Sequence, residues 1–514
     1  MRKLLENKNF MPCLKKVIAF ICFLTIFLSV FTSVTYLFRG NQFNTFNSDR
    51  LSIVGIKEED SLDMVYIGGS AAFCYWIPLQ AWNDCGFTSY DLTSTSIQAE
   101  NILYLVKHAL KYQDPELFVI GVRSFAYYTD EGYEAGLRYV SDSLDLGLDR
   151  IQLARTYFRN RNIDTDICSV YFDIIKHHIN YDALASPEIW DLMDNTEEHP
   201  EKGCHLLTSY YYLDEPEPFQ TEQRAELPQG ASDTLYELLD FCTEEDLNVL
   251  FVVCPYAVAE EEYELYNTME DIISSYGFGF LNANDYYDEM GLDFSKDFAD
   301  KGHVSALGAE KYTAFLGNYI VENYGLTDHR NEGNTSWEES YAQSADAAKE
   351  TKAALEDMIA LAQDGKAIAQ ELCDTDDLAL WCDLVKDPRF TVLAVGDGES
   401  LGKLSYIDQK ALEATGLTEM ERDNYIRVLC DSEVLYTNEG SDESRCEIDI
   451  GAQRNIECVI DNTEQLSSIM IDGEEYCRKG EKGIHIVIFE NDYRYVVDSF
   501  TVQSDVDGNV EFVR

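Results

Sequence analysis

Two short segments of this chain, 233 positions apart, carry residue types whose neighbours suit nucleophilic chemistry. The first is Ile67-Gly68-Gly69-Ser70-Ala71-Ala72-Phe73, which closes an apolar run. A glycine pair lets the backbone turn sharply and leaves a serine at the carboxyl end of a strand, the edge where open α/β sheets bind ligands. A helix starting there would turn unpaired N–H groups and its positive end toward an oxyanion formed at Ser70. Gly-Gly-Ser alone, however, is a common turn. The second segment is Asp300-Lys301-Gly302-His303-Val304-Ser305-Ala306-Leu307-Gly308. An Asp three residues before a His can set its carboxylate against one imidazole nitrogen, leaving the other to take a proton from a serine. The competing reading is a helix-entry histidine beside a surface turn acid.

Other candidates are poorer. His177-His178, His199 and His205 lie in an acidic stretch without the H-x-x-x-H or H-E-x-x-H spacing of a helical metal site, so no metal is expected. Gly396-Asp397-Gly398-Glu399 is a turn signal, and no Gly-Lys-Ser/Thr phosphate loop occurs, so no cofactor is expected. Of 14 cysteines, Cys13 and Cys22 belong to an apolar N-terminal region; the others fall into two sets of six, Cys74 to Cys254 and Cys373 to Cys477, with no C-x-x-C pair. Disulfides and buried thiols are equally open on this evidence.

The scaffold for the two segments reads as alternating α/β between Leu62 and Ile320. Apolar runs LDMVYIG (62–68), ELFVIGV (116–122) and NVLFVVC (248–254) have the continuous hydrophobicity of parallel strands covered on both faces. Gln98 to Tyr112 and Tyr312 to Tyr324 carry i, i+3, i+4 spacing and predict covering helices. The stretch from about 141 to 235, rich in Tyr, His and acids without a clear period, is expected to be an inserted helical or loop cap. A polar linker follows Gly325, then an Ala-, Glu- and Lys-rich helical spacer from Trp337 to about Cys373. From Arg389 onward, runs such as FTVLAV, IRVLC, IECVID, GIHIVIF and YRYVVDSFTV alternate with turn residues and predict a second, mostly β domain. The expected boundaries are 55–325 for the α/β domain, 326–385 for linker and spacer, and 386–514 for the β domain.

Val17 to Phe38 contains no charge and is long enough to cross the roughly 30 Å hydrocarbon core of a bilayer. Arg2, Lys3, Lys8, Lys15 and Lys16 precede it against Glu6 alone, so the positive-inside bias keeps 1–16 cytoplasmic and sends residue 40 onward outside. The expectation is a single-pass, type II protein of the cell membrane with its bulk extracytoplasmic. A cleaved signal would have a shorter apolar stretch and a small-residue exit rather than Thr35-Tyr36-Leu37-Phe38. Ninety-four acids against 39 bases leave a formal charge of −55, which would repel a phosphate backbone and argues against a nucleic-acid partner.

In this order, the serine turn and the D-x-x-H segment resemble the SGNH/GDSL hydrolase superfamily over roughly 60–325. The chain is similar in particular to its membrane-anchored envelope branch, which includes the D-alanyl-lipoteichoic acid protein DltD and the alginate O-acetylation proteins. Ser94-Thr95-Ser96-Ile97-Gln98 falls where that branch has a G-x-S-Q-like block. The resemblance implies a parallel-sheet, flavodoxin-like fold, with Ser70 as nucleophile, His303 as general base and Asp300 orienting it, the Ser70 backbone N–H lining the oxyanion hole. There are departures. Gly69 stands where GDSL enzymes have Asp, Thr93 or Ser94 where a glycine is expected, and Val122-Arg123-Ser124 replaces G-x-N-D. Gly69, Ser94, Gln98 and Arg123 are the candidates for substrate and oxyanion contacts, Arg123 being equally a structural ion-pair partner. The C-terminal region resembles, more faintly, interleukin-like EMT inducer and glycan-processing stem domains, which implies glycan binding.

The function so implied is a membrane-anchored serine esterase or O-acyltransferase acting on a cell-envelope glycan: polysaccharide, teichoic acid or peptidoglycan. The missing Asp and Asn blocks motivate two competitors, a catalytically silent glycan-binding surface protein and an assembly partner for a multi-spanning membrane acyltransferase.

Overall fold

The computed structural model describes residues 10–39, 52–145, 147–172, 174–179, 199–213, 216, 221–330, 332–333, 335–396, 401, 404–417, 425–430, 433–437, 443–449, 455–461, 466–471, 474–476, 482–491, 495–507 and 509–514. Arg2, Lys3, Glu6 and Lys8 of the charge bias, Asp397 to Glu399 of the turn signal, and Cys477 lie outside the described residues. The chain forms two compact units, residues 1–355 and 356–514.

The first unit opens with α1 (Phe10–Arg39), a helix whose stretch Leu14–Thr35 is long and apolar enough to cross a membrane. A five-stranded parallel sheet follows, built from β1 (Met64–Gly68), β2 (Ser89–Thr93), β3 (Leu117–Gly121), β4 (Val249–Val253) and β5 (Gly279–Asn282) in the order β2-β1-β3-β4-β5. The three apolar runs read from the sequence are β1, β3 and β4, buried along nearly their whole length as two-sided covering requires. No apolar run announces β2, whose Ser89, Asp91 and Thr93 are polar yet buried. The helix pairs α3 (Pro78–Cys85) with α12 (Ala306–Tyr324), and α4 (Ala99–Ala109) with α10 (Gln229–Glu244), cover the sheet. The last covering helix starts at Ala306, six residues ahead of the Tyr312 read from periodicity.

Further short elements decorate this frame. One-turn helices α2 (Ser70–Phe73) and α5 (Arg123–Ala126) follow β1 and β3 directly. Next come α6 (Glu134–Ser141), α7 (Leu148–Asn160), α8 (Ile167–Tyr171) and α9 (Ile174–His177), so the described start of the expected insertion is helical. Between β4 and β5 runs α11 (Glu260–Ser275), and a hairpin of β6 (Phe298–Asp300) and β7 (His303–Val304) precedes α12. In the sheet register Gly68 pairs with Thr93 and Ile67 with Ile120. The chain therefore leaves β1, β2 and β3 at one edge, beside the switch in strand order where ligands of such sheets bind.

A 40-residue helix, α13 (Thr335–Asp374), leads into the second unit. There β8 (Phe390–Gly396), β9 (Tyr425–Cys430), β10 (Glu433–Thr437), β15 (Ile484–Glu490), β16 (Tyr495–Ser504) and β17 (Val510–Val513) form an antiparallel sheet ordered β10-β9-β8-β15-β16-β17. A second antiparallel sheet holds β11 (Glu443–Asp449), β12 (Asn455–Asp461), β13 (Leu466–Ile471) and β14 (Glu474–Glu475). Period-2 alternation sorts β8 between two cores: Val392 and Ala394 pack with Trp381, Leu412 and Phe500, while Leu393 and Val395 pack with Cys446, Cys458 and Ile469. The region is β-rich, as the sequence predicts, but one face of the larger sheet is helical, with α14 (Leu378–Leu384) and α15 (Tyr406–Thr415). Each carries a side-chain cap at its start, Asp377 accepting from Ala379 and Leu380 N–H and Ser405 from Asp408 N–H.

Candidate active site

Ser70 is the first residue of α2, reached through Gly69 in an extended conformation at the end of β1. A Cβ on Gly69 would stand 2.8 Å from Ile97 Cγ2, so the loop after β2 presses on this turn and a side chain there would force Ile97 to shift. On the other side, β6 and β7 pair antiparallel with Asp300 opposite His303 across the two-residue turn Lys301-Gly302. Directly opposed residues place their side chains on one face. The imidazole Nδ1 lies 2.9 and 3.0 Å from the two Asp300 carboxylate oxygens, and Nε2 lies 2.7 Å from Ser70 Oγ. The three residues thus stand in one hydrogen-bonded line.

Electrostatics set the proton positions. Burial alone would raise the Asp300 carboxyl, but bonds from the His303 imidazole and from the Gly302 N–H, at 2.7 Å, outweigh it and hold the pKa below the usual carboxylate range. An ionised Asp300 can only accept, so in the neutral imidazole Nδ1 carries the proton and Nε2 is left to accept from the Ser70 hydroxyl. That is the tautomer a general base for serine needs.

Two further side chains grip the turn between acid and base. Arg123 Nη1 donates to the Gly302 carbonyl at 2.6 Å, and the buried Tyr75 hydroxyl donates to the same oxygen at 2.9 Å. Burial pushes the Tyr75 phenol up, which keeps it a donor. The Arg123 guanidinium lies over the Tyr256 ring, 3.9 Å from its centroid, and its Nη2 donates to Tyr127 at 3.3 Å. No carboxylate among the described residues comes within ion-pair distance of it. A Cβ at Gly302 would stand 2.8 Å from Arg123 Nη2, so a side chain there would displace the end of the guanidinium.

The remaining candidates are placed differently. Ser94 is fully buried; its N–H donates to the Gly68 carbonyl at 3.3 Å, and its hydroxyl lies 3.5 Å from the Thr95 carbonyl. Gln98 gives its amide to the Ser96 carbonyl at 2.9 Å and to the Tyr133 hydroxyl at 3.3 Å, on an exposed surface. The structure brings Ser70, His303 and Asp300 together, with Arg123 behind their turn, and gives the Gln98 side chain other partners. The helix at Ser70 is a single turn, so its dipole is small, and any oxyanion there would rest on individual N–H groups. Tyr75 and Tyr256, and the role of the Gly302 carbonyl, escaped sequence reasoning.

The other histidines stand apart. His177 is buried with Nε2 3.8 Å from Asp142, and burial lowers His199 to about 4, so it is neutral. The His205 backbone N–H bonds the Phe73 carbonyl at 3.0 Å. Cys204, Cys242, Cys254 and Cys382 are buried free thiols.

No protein-family model matches the chain, and no curated protein matches it. Among solved structures, an active-site mutant of a family two carbohydrate esterase from Clostridium thermocellum is similar at 9% identity with a TM-score of 0.24, over 52% of this chain and 66% of that one.

Proposed function

We propose that this chain is an extracytoplasmic, membrane-anchored serine esterase or O-acyltransferase of SGNH type acting on a cell-envelope glycan. The observation that carries the reading is the Ser70–His303–Asp300 line, with 2.7 Å between Oγ and Nε2. In this mechanism Ser70 Oγ attacks the acyl carbon while His303 Nε2 takes the hydroxyl proton, and Asp300 stabilises the imidazolium that results. As the tetrahedral intermediate collapses, His303 returns that proton to the departing sugar oxygen, leaving the acyl group on Ser70. Water or a second sugar hydroxyl, deprotonated by the same imidazole, then takes the acyl group and frees the serine. Gly69 and Ser94 line the turn that carries the nucleophile, and the Ser70 backbone N–H would receive the oxyanion.

The test is hydrolysis of an aryl acetate by the full-length protein. Ser70→Ala and His303→Ala should each lower kcat by about 10³-fold or more, and the double variant should lose little beyond either, because such groups act as a unit. A folded Ser70→Ala protein that keeps turnover within tenfold of wild type would sink the reading. One observation favours the catalytically silent glycan-binding alternative: the two side-chain candidates for the oxyanion hole, Gln98 and Arg123, donate elsewhere. A wild type inert toward every aryl ester yet retained by envelope glycan would decide for it.

A further inference from the structure

The apolar helix does not leave the protein body cleanly. From Leu14 to Val30 its side chains are exposed, but Phe31, Thr32 and Val34 are half-buried and Thr35 is 2% exposed. Among the described residues α9 packs beside α1, and the Phe172 ring stands edge-on to Phe31 with centroids 6.2 Å apart. The 22 residues Leu14–Thr35 match the hydrocarbon thickness. Phe31 therefore sits about 6 Å from the outer end of the span at 1.5 Å rise per residue, where acyl chains meet headgroups. A side chain packed on Phe31 shares that depth.

Exposed apolar surface is concentrated in the same place. Outside α1, the aliphatic and phenyl side chains of the first unit most exposed among the described residues are Leu148, Ile151, Phe172, Ile175, Ile179 and Val321, and all but Val321 fall between 148 and 179. Leu148 is 74% and Ile179 65% exposed. These side chains are carried by contiguous elements, since α7 packs on α8, α8 on α9, and α9 on α1. The charge there departs from the rest of the chain. Residues 148–179 hold five Lys and Arg against four Asp, in a protein of net charge −55; Arg150 and Arg161 are buried against Asp142 and Glu100, so the charges left toward solvent nearly balance. Exposed Arg155 and Arg159 follow Leu148 and Ile151 along α7, where long basic side chains can snorkel to headgroups. Elsewhere the acidic surface would be repelled by an anionic bilayer; this nearly balanced segment would be repelled less.

We infer that residues 148–179 form a lipid-seated surface. It rests in the outer interface of the bilayer that α1 crosses, with Phe172, Ile175 and Ile179 turned to the acyl-chain boundary. The inference rests on the reading of α1 as a bilayer-spanning helix. A second contact beside that helix would restrain rotation of the first unit at the membrane surface. Interfacial segments of this kind bind through buried apolar area assisted by basic side chains.

The experiment reconstitutes the full-length protein in vesicles of equal phosphatidylglycerol and phosphatidylcholine doped with a lipid carrying a diazirine in its acyl chain, then maps photo-crosslinks by peptide mass spectrometry. The expected result is labelling of peptides within 14–35 and within 168–179. Labelling confined to 14–35 overturns the inference and leaves the spanning helix intact, whereas labelling of neither overturns both. If 168–179 escapes lipid but crosslinks to a second copy of the chain, a protein partner covers the face and the lipid assignment is wrong. Replacing Phe172, Ile175 and Ile179 by Ser should lower the 168–179 yield at least about fivefold relative to the 14–35 signal, since apolar area drives interfacial seating. An unchanged ratio counts against it.

Discussion

The two units bury their chains in different ways. In the first, every strand of the sheet runs in the same direction, so each delivers its following loop to the same edge. Ser70 after β1, Ser94 after β2 and Arg123 after β3 are gathered there by topology alone, and the β6–β7 hairpin brings Asp300 and His303 to meet them. In the second, antiparallel strands send turns to both ends, and β8 spends both faces on apolar packing. Parallel order concentrates polar groups where chemistry can use them, and antiparallel order disperses them. The contrast implies that the proposed catalytic site and the second core can be perturbed separately.

The largest effects fall in the first unit, where loss of Ser70 or His303 should remove almost all turnover. The sharpest test of separability is Trp381, 1% exposed and packed edge-on against Phe500 and Phe512 at 5.9 Å. Trp381→Ala should cost the second unit about 3–5 kcal/mol, as large core truncations do. In urea, one of two transitions should move while aryl-acetate turnover in buffer is unchanged. A parallel loss of turnover would mean that the two units share one cooperative fold.

Arg123 is a positioning residue in this account, because it touches the turn rather than the reacting atoms. Arg123→Ala should lower kcat about 10–100-fold with little change in KM, the scale expected when a base is misplaced by a fraction of an ångström. Added guanidinium ion should restore part of it, which a merely structural loss would not allow. Gly302→Ala, by crowding Nη2, should act in the same direction. An Arg123→Ala enzyme as active as wild type would remove the clamp from the account.

A smaller effect comes from within the sheet. Asp91 is fully buried, neither carboxylate oxygen has a hydrogen-bond partner among the described residues, and burial raises its pKa well above the carboxylate range. The folded state therefore holds the Asp91 proton more tightly than the unfolded chain does, so stability falls as pH rises from the unfolded value of about 3.9. Asp91→Asn should be nearly neutral at pH 4 and stabilising by about 1–3 kcal/mol at pH 7, read by thermal or urea unfolding. The reverse trend would mean that Asp91 is charged and paired in the native state.

The smallest effect is at the opposite end of β1. His329 bonds Glu332 through Nδ1 at 2.6 Å and Asp63 through Nε2 at 3.1 Å, and these acids raise its pKa. Its stabilisation is present in full below pH 6.5 and is lost as pH rises through the higher folded value. Because Glu332 is 61% exposed, solvent screening limits the effect to under about 1 kcal/mol. His329→Gln should flatten the stability profile just above pH 6.5, and an unaltered slope there would discount the contact.

How legible all this was in the sequence follows from what each element buries. β1, β3 and β4 could be read because strands covered on both faces must be continuously apolar. β2 could not, since it buries Asp91 and hydroxyls that only the packed sheet accommodates. Ser70, Asp300 and His303 were legible because their chemistry depends on near neighbours in sequence. The grip of Arg123 and Tyr75 on Gly302 was not, because it joins loops 179 and 227 positions apart through a backbone carbonyl that no side-chain pattern encodes. The helical face of the second unit was missed because α14 and α15 are short and carry no long apolar period.

The most direct test of the central claim is covalent labelling by a fluorophosphonate, which reports an activated serine whatever the natural acyl donor. Wild-type protein should gain one adduct, located by peptide mapping on Ser70, and Ser70→Ala should gain none. His303→Ala should label at least about 10²-fold more slowly, since the hydroxyl loses its base. An adduct on Ser70 formed at the same rate with and without His303, or no adduct on a folded wild type, would contradict the account.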